Sequence, residues 1–501
     1  MDFPTALTQP TPTAWRGAAR LAALLALAFY GLFLARNVGA VAAGSDSSGY
    51  LNDARLMASG RVHAPARTLA GLPLADAPRF LYTPLGFIPA PNGFGLVPTY
   101  PAGFGLLTLA AEPLIGWGKA ADLVIILHAL AGLAATFALG RMLGLDRAWS
   151  ALGAAIVAAS PLYLFMSLQA MSDVPSLAWT TAAVLAALLS RGRRNWALVA
   201  GFAVAIDVLL RPTNVLAFIP LAVALGASRR RWILFLCGGL PGAIFYFART
   251  LAAYGSLLAT GYGDITSGFS AGYVPQTLVH YALWMPALFT PIAALAIGLP
   301  WVRGGVPSTR LLLGAWILAF GAFYSFYRCT HETWWYLRFL LPAAPAVVVA
   351  GLLVLRALAA RALATPVRAF SALVAALAII CFNSATLCRR LLVFETVKDE
   401  LRYGSAADWM RSHLPPDAVC LSMQETGALF YYTDFTFIRW DALTKDNVAN
   451  IEAVVRNSGR PLYAVLFPFE IDQANVLGGV MPGHWRQVGV VSDVTIWRRD
   501  F

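Results

Sequence analysis

Charge is what this chain has least of. Only 12% of its 501 residues are charged, against 59% apolar, and the mean hydropathy is +0.66, whereas a soluble chain carries roughly 25% charged residues. An ordinary soluble fold is excluded, and a polytopic membrane protein is expected. Lysine is almost absent, at 119, 398 and 445 only, so the net charge of +12 is nearly all arginine. The arginines stand in short clusters between apolar runs, as the positive-inside rule describes, and not as a continuous nucleic-acid surface. Five cysteines (237, 329, 381, 388 and 420) show no C-x-x-C spacing and give no zinc framework. Cys329 and Cys420 fall on the same expected side of the membrane, but nothing in their placement requires a disulfide.

Apolar runs are abundant. Residues 1–20 are rich in Pro and Thr and end on Arg16 and Arg20 before the run Leu21–Ala35. This resembles a signal peptide with Ala40-Val41-Ala42 as a cleavage site, although a retained anchor is the favoured expectation. A long loop of about 44–103, rich in Pro and Gly, follows; it carries Arg55, Arg61, Arg67 and Arg79. Further apolar segments lie at 104–118, which is short and interfacial, and at 120–140, 148–168, 174–190, 196–210, 213–227, 232–252, 284–301, 311–327, 338–355 and 369–387. With a span needing about 20 apolar residues, this gives about eleven transmembrane helices in a domain covering 1–388.

With the N-terminus cytoplasmic, alternate loops hold Arg141 and Arg147, Arg191/Arg193/Arg194, Arg229/Arg230/Arg231, Arg303 and Arg310, and Arg356/Arg361/Arg368. The first loop, Met171–Asp173, Arg211–Asn214, Tyr254–Trp284, Tyr327–Arg338 and the tail are then extracytoplasmic. An inner (plasma) membrane, multi-pass location follows. Residues 389–501 are richer in acids. They alternate short apolar runs (Val419–Leu421, Thr436–Ile438, Tyr463–Phe467, Val488–Ile496) with helical patterns (Ser405–His413, Asp446–Val455), which predicts a small extracytoplasmic α/β domain. It contains neither a Gly-rich phosphate loop nor a nucleophile elbow, so it reads as accessory.

Before that tail the acids are Asp2, Asp46, Asp53, Asp76, Glu112, Asp122, Asp146, Asp173, Asp207, Asp264 and Glu332. Each is informative, because an ionisable group at membrane depth is costly unless paired or wetted. Asp46, in Ala43-Gly44-Ser45-Asp46-Ser47-Ser48-Gly49-Tyr50 just past the first apolar run, is the expected reaction centre; the alternative is a polar turn that ends a helix. Asp173, in Met171-Ser172-Asp173-Val174-Pro175, reads as a helix cap or a substrate contact on the same side. Asp207 and Arg211 stand i,i+4, which favours a structural ion pair. Arg211-Pro212-Thr213-Asn214 also offers a guanidinium suited to phosphate oxygens, or one that snorkels to lipid headgroups. Tyr327-Arg328-Cys329-Thr330-His331-Glu332, Trp334, Trp335, Tyr336 and Arg338-Phe339-Leu340-Leu341-Pro342 form an aromatic belt with the polar groups for phosphate and sugar. His128 is read as an interhelical polar contact.

Taken together, these residues resemble the GT-C superfamily of polytopic glycosyltransferases, in particular the protein mannosyltransferase and lipid A aminoarabinose transferase branch. The resemblance rests on Asp46 beyond the first span, Tyr100-Pro101-Ala102-Gly103 late in the first loop, Ser172-Asp173, Arg211-Pro212-Thr213 and Arg338-Phe339-Leu340-Leu341-Pro342. It implies a sugar donor on polyprenyl phosphate, work on the extracytoplasmic face among membrane lipids, and Asp46 as the catalytic base. The acceptor is a glycan, lipid or protein. Asp173, Arg211, Arg338, Arg79, Tyr82, Tyr100, His331 and Glu332 are the expected substrate contacts. Many members place a second acid directly after the Asp; here Ser47 follows, so no metal and no other cofactor is called for. In-line displacement needs a proton acceptor and cations for the leaving phosphate, and the residues supply both. A multi-span transporter or flippase for a lipid-linked glycan is the alternative; it favours internal repeats and matched broken helices, and neither is detected.

Overall fold

The computed structural model describes residues 13–93, 95–302, 307–359 and 365–501. Asp2, Arg303 and Arg361 lie outside the described residues. The chain is a mostly helical polytopic membrane protein with a strand-rich C-terminal region. Among the described residues four helices are long and apolar enough to cross a membrane: Trp117–Met142, Arg229–Tyr254, Trp334–Ala359 and Ser371–Arg390. Shorter apolar helices include Leu21–Asn37, Gly103–Ile115, Asp173–Leu189 and Trp196–Leu210.

Two expected spans are broken. The run 148–168 divides into Arg147–Ala158 and Pro161–Met166, because Ser160 is extended and its hydroxyl caps a new helix opening on Pro161. The run 284–301 straddles two elements: Val274–Leu288 stops before Thr290, which takes φ 64, and Pro291 precedes Ile292–Leu295.

The contacts divide the chain into two compact units. One holds 1–38, 124–245 and 264–394, and the other 39–123, 246–263 and 395–501. In the first unit the two most extensively packed neighbours are Asp173–Leu189 and Trp196–Leu210. Asp207 is fully buried between them and accepts from Ser176 Oγ at 3.0 Å, from Asn214 Nδ2 at 2.7 Å and from the Thr180 hydroxyl. The expected Asp207–Arg211 pair does not form. Pro212 restricts the residue before it to extended backbone, so the helix ends at Leu210 and Arg211, at φ −149 and ψ 108, turns off the face that an i,i+4 pair requires.

The second unit contains two sheets. Strands β1 (Phe87–Pro89) and β2 (Leu96–Pro98) pair antiparallel within the first loop. The C-terminal sheet has β3 (Val419–Leu421), β4 (Thr436–Ile438), β5 (Leu462–Leu466), β6 (Trp485–Val491) and β7 (Val494–Arg499) in the order β4-β3-β5-β7-β6. β3 is parallel to β4 and β5, and β7 is antiparallel to β5 and β6. The expected single strand over Val488–Ile496 is instead a hairpin, turned at Ser492 with φ 56. Period-two alternation gives the central strands two apolar faces. Cys420, Tyr463 and Val465 pack with Tyr403, Ala407 and Met410 of the helix Glu395–His413. Val419, Leu421, Leu462 and Ala464 pack with Ile451 and Val455, and also with Leu69, Leu72, Leu81 and Tyr82 of the first loop. This explains how a long loop with little regular structure is ordered: each fully buried Leu contributes about 1.5–3 kcal/mol. All five cysteines are free.

Candidate functional site

Asp46 opens the helix Asp46–Ala58 in the second unit. The chain reaches it through Gly44 at φ 47, a left-handed turn that glycine tolerates without steric cost. The Asp46 side chain is half-buried. Tyr100 is one of its neighbours. The Tyr100 and Ser45 hydroxyls are 2.8 Å apart, and Tyr100 donates to the Asp46 carboxylate. Burial, and next the charge of Asp46, holds the phenol well above its ordinary range. A phenol kept neutral remains a donor to a carboxylate. Gly49 makes room for the ring: a Cβ there would sit 2.4 Å from Tyr100 Cδ2 and 3.0 Å from Gly86 Cα. Tyr50 and Tyr262 close around Tyr100, with ring centroids at 5.2 and 5.8 Å.

The arginines of the first loop go to different places. Arg55 donates to the Tyr431 carbonyl and lies over the Tyr431 ring at 3.5 Å. Arg67 donates to the carbonyls of Leu429, Phe430 and Phe435. Both tie the loop to the C-terminal region. Arg61 and Arg79 are exposed, Arg79 lying over Phe80 at 5.1 Å. Tyr82 is 1% exposed and its hydroxyl donates to the Leu72 carbonyl at 3.1 Å, which places it in the core under the sheet.

Two groups in this unit were not singled out from the sequence. Asp53, about two turns along the same helix from Asp46, is paired with Arg249 of Arg229–Tyr254. Burial pushes the Asp53 carboxyl up to about 6, outweighing the Arg249 guanidinium that acts in the opposite direction. Glu400 accepts from Ser47 Oγ at 3.1 Å. An arginine inside an apolar run was the available signal for the first pair. None existed for Glu400, which stands in the ordinary polar pattern of its helix.

The first unit brings together Asp173, Arg211 and Arg338. Asp173 begins its helix and pairs with Arg211. Arg211 lies over the Phe339 ring at 5.0 Å and Arg338 over the same ring at 5.5 Å. Arg338 Nη1 is 3.7 Å from Met171 Sδ. Phe339 is held by stacking on Tyr324 at 5.1 Å and 11°, and the Tyr324 hydroxyl is 2.6 Å from that of Thr213. The Met-Ser-Asp turn, the Arg-Pro-Thr turn and the Arg-Phe-Leu-Leu-Pro segment therefore meet around one aromatic ring. His331 contacts Tyr273 and Thr277 instead, at a 5.6 Å ring separation and 3.4 Å to the hydroxyl, and Glu332 is exposed. His128 Nδ1 donates to the Val124 carbonyl of its own helix at 2.7 Å, and Nε2 accepts from Trp179 Nε1 of a neighbouring helix at 3.0 Å, which makes it an interhelical contact.

No protein-family model matches the chain, and no curated protein matches it. Solved structures do. ArnT from Cupriavidus metallidurans in the apo state is similar with a TM-score of 0.61 at 15% identity, over 97% of this chain and 98% of that one. The same protein bound to undecaprenyl phosphate gives 0.59 at 16%, over 96% and 98%. The Archaeoglobus fulgidus oligosaccharyltransferase tethered with an acceptor peptide gives 0.54 at 12%, over 90% of this chain and 70% of that one. At these identities the likeness shows a shared fold and nothing of activity.

Proposed function

We propose that the chain is a glycosyltransferase of the protein mannosyltransferase and aminoarabinose transferase kind, moving a sugar from a polyprenyl-phosphate donor to a lipid, glycan or protein acceptor on the extracytoplasmic face of the plasma membrane. About eleven spans place the N-terminus in the cytoplasm and a discrete α/β domain, 389–501, outside. The observation that carries the reading is the pair of guanidinium groups, Arg211 and Arg338, on the single Phe339 ring. Planar forks backed by an aromatic face suit phosphate oxygens, and a protein of this fold is known with undecaprenyl phosphate bound. Fold alone does not fix activity, so the roles rest on the residues.

In this reading Asp46 takes the proton of the acceptor hydroxyl. The acceptor oxygen bonds to the anomeric carbon, the bond from that carbon to the phosphate oxygen breaks, and its electron pair leaves on the lipid phosphate. Arg211 and Arg338 stabilise that phosphate, Asp173 orients Arg211, and Tyr100 orients Asp46. Arg79, His331 and Glu332 remain candidate acceptor contacts, whereas Tyr82 is left to the core.

The test is Asp46→Asn in purified full-length protein given a polyprenyl-phosphate sugar and an acceptor extract. Loss of general-base assistance lowers transfer by about 10²–10⁴-fold. Thermal stability stays at the parental value, because Asn serves a helix start about as well as Asp. Near-parental turnover would remove Asp46 from the role and point to Asp173.

A further inference from the structure

A carboxylate from the C-terminal region reaches the Asp46 turn. The helix Glu395–His413 packs in the same compact unit as the first loop, and Glu400 Oε2 accepts from the hydroxyl of Ser47, the residue beside Asp46. Few opposite charges neutralise it. Arg402, whose charge acts on Glu400, is committed to Asp493 at 2.6 Å and lies over Phe467 at 4.9 Å. Asp46 faces Glu400 from the first-loop helix, while Asp399, Arg402 and Tyr403 flank it on its own. Burial pushes the Glu400 carboxyl up to about 7; the Ser47 bond opposes the rise, and the charge of Asp46 adds to it.

We propose that Glu400 is a positioning residue for Asp46: it steadies the first turn of the Asp46 helix through Ser47 and, once ionised, its negative charge strengthens Asp46 as a proton acceptor. This rests on the reading of Asp46 as the base. The physical reason is that two carboxylates in one half-buried place do not both ionise cheaply. A negative neighbour favours the protonated form of a carboxylate, which is the sense in which the charge of Glu400 would act. No proton is transferred to Glu400 in the reaction. Its charge alone acts, so its influence appears only above its own midpoint.

The experiment compares the full-length parent, Glu400→Gln and Glu400→Asp for transfer across about pH 5.5 to 8.5. The ratio of parent to Glu400→Gln turnover is near one at the acid end, where Glu400 is neutral, and grows to roughly tenfold at the alkaline end, as expected for a change of about one pH unit in base strength. Glu400→Asp restores part of the difference. A ratio that does not change with pH makes Glu400 merely structural and overturns the proposal. A second readout needs no substrate: infrared titration of carboxyl bands, with the Glu400 band identified by its loss in Glu400→Gln. In Asp46→Asn its midpoint falls toward the ordinary carboxylate range, and an unchanged midpoint overturns the coupling. Transfer that survives Asp46→Asn overturns the underlying reading of the base, and the infrared midpoint separates that failure from failure of the coupling itself.

Discussion

Two buried Asp–Arg pairs among the described residues have almost equal exposure, and they differ in what surrounds them. Asp53 and Arg249 are 2% and 14% exposed, and Asp173 and Arg211 are 3% and 12%. Beside Asp53–Arg249, Asp53 Oδ2 is buried and has no hydrogen-bond partner among the described residues. Around Asp173–Arg211 a second guanidinium, Arg338, shares the Phe339 ring. Burial of an ion pair therefore says little about function. The accumulation of one sign of charge on an aromatic face is what singles out Arg211 and Arg338 for the proposed phosphate-binding role, whereas Asp53–Arg249 is read as a clamp.

The comparison breaks most visibly if Arg249 is removed. Arg249→Met leaves Asp53 buried and unpaired, and removing one partner of a buried pair costs about 3–5 kcal/mol. The expected result is a marked loss of thermal stability and of folded yield. The double variant Asp53→Asn with Arg249→Met recovers much of it, because no uncompensated charge remains. A single variant as stable as the parent would mean that the pair is not the clamp.

Arg211→Lys sharpens the other side. The charge is retained, so Asp173 is not left as an uncompensated buried charge and stability falls by less than in Arg249→Met. The planar fork over Phe339 is lost, and a point ammonium does not replace it. Affinity for a polyprenyl-phosphate sugar is expected to fall roughly tenfold, in the range of one charge-assisted hydrogen bond. Unchanged donor binding by the purified variant would assign this pair, too, to structure alone.

How far these differences were legible follows the range of the physics involved. Asp46, Ser172-Asp173, Arg211-Pro212 and Arg338 were singled out because turns, caps and prolines act over a few residues, although Asp46 was read beside the end of a helix and in fact opens one, Asp46–Ala58. The same local reasoning paired Arg211 with Asp207 and missed that Pro212 forces Arg211 into extended backbone, away from its own helix. Partners supplied by topology left no local trace. Arg249 stands 196 residues from Asp53 and Glu400 stands 353 from Ser47, and no periodicity links them. The tail's strands were legible where one apolar run made one strand, as at Val419–Leu421, but not at Val488–Ile496, where the turn at Ser492 carries no glycine or proline. Nor did any local pattern announce that the tail's sheet packs with Leu69, Leu72 and Leu81 of the first loop.

The smallest expected effect concerns the pH dependence of the Asp53 clamp. Its folded-state carboxyl lies at about 6, raised from the ordinary Asp range by burial against the opposing pull of Arg249. A carboxyl raised on folding binds its proton more tightly in the folded state. Its contribution is thus fully present below the unfolded value near 4 and is lost as pH rises through about 6. The pair therefore stabilises least where both partners are charged, the reverse of a surface salt bridge, because desolvation of the carboxylate outweighs its attraction to Arg249. Glu400, Glu425 and Glu470 are raised as well and act in the same direction, so the slope of the parent alone assigns nothing to Asp53. The informative quantity is the difference between parent and Asp53→Asn melting temperatures from pH 4.5 to 7.5. Asn is neutral throughout, so the parent loses about 1–2 °C relative to it over that window, with most of the loss complete by pH 6.5. A parent that gains on the variant as pH rises would show that attraction to Arg249 outweighs burial at Asp53, and the two pairs would then be alike in energetics as well as in exposure.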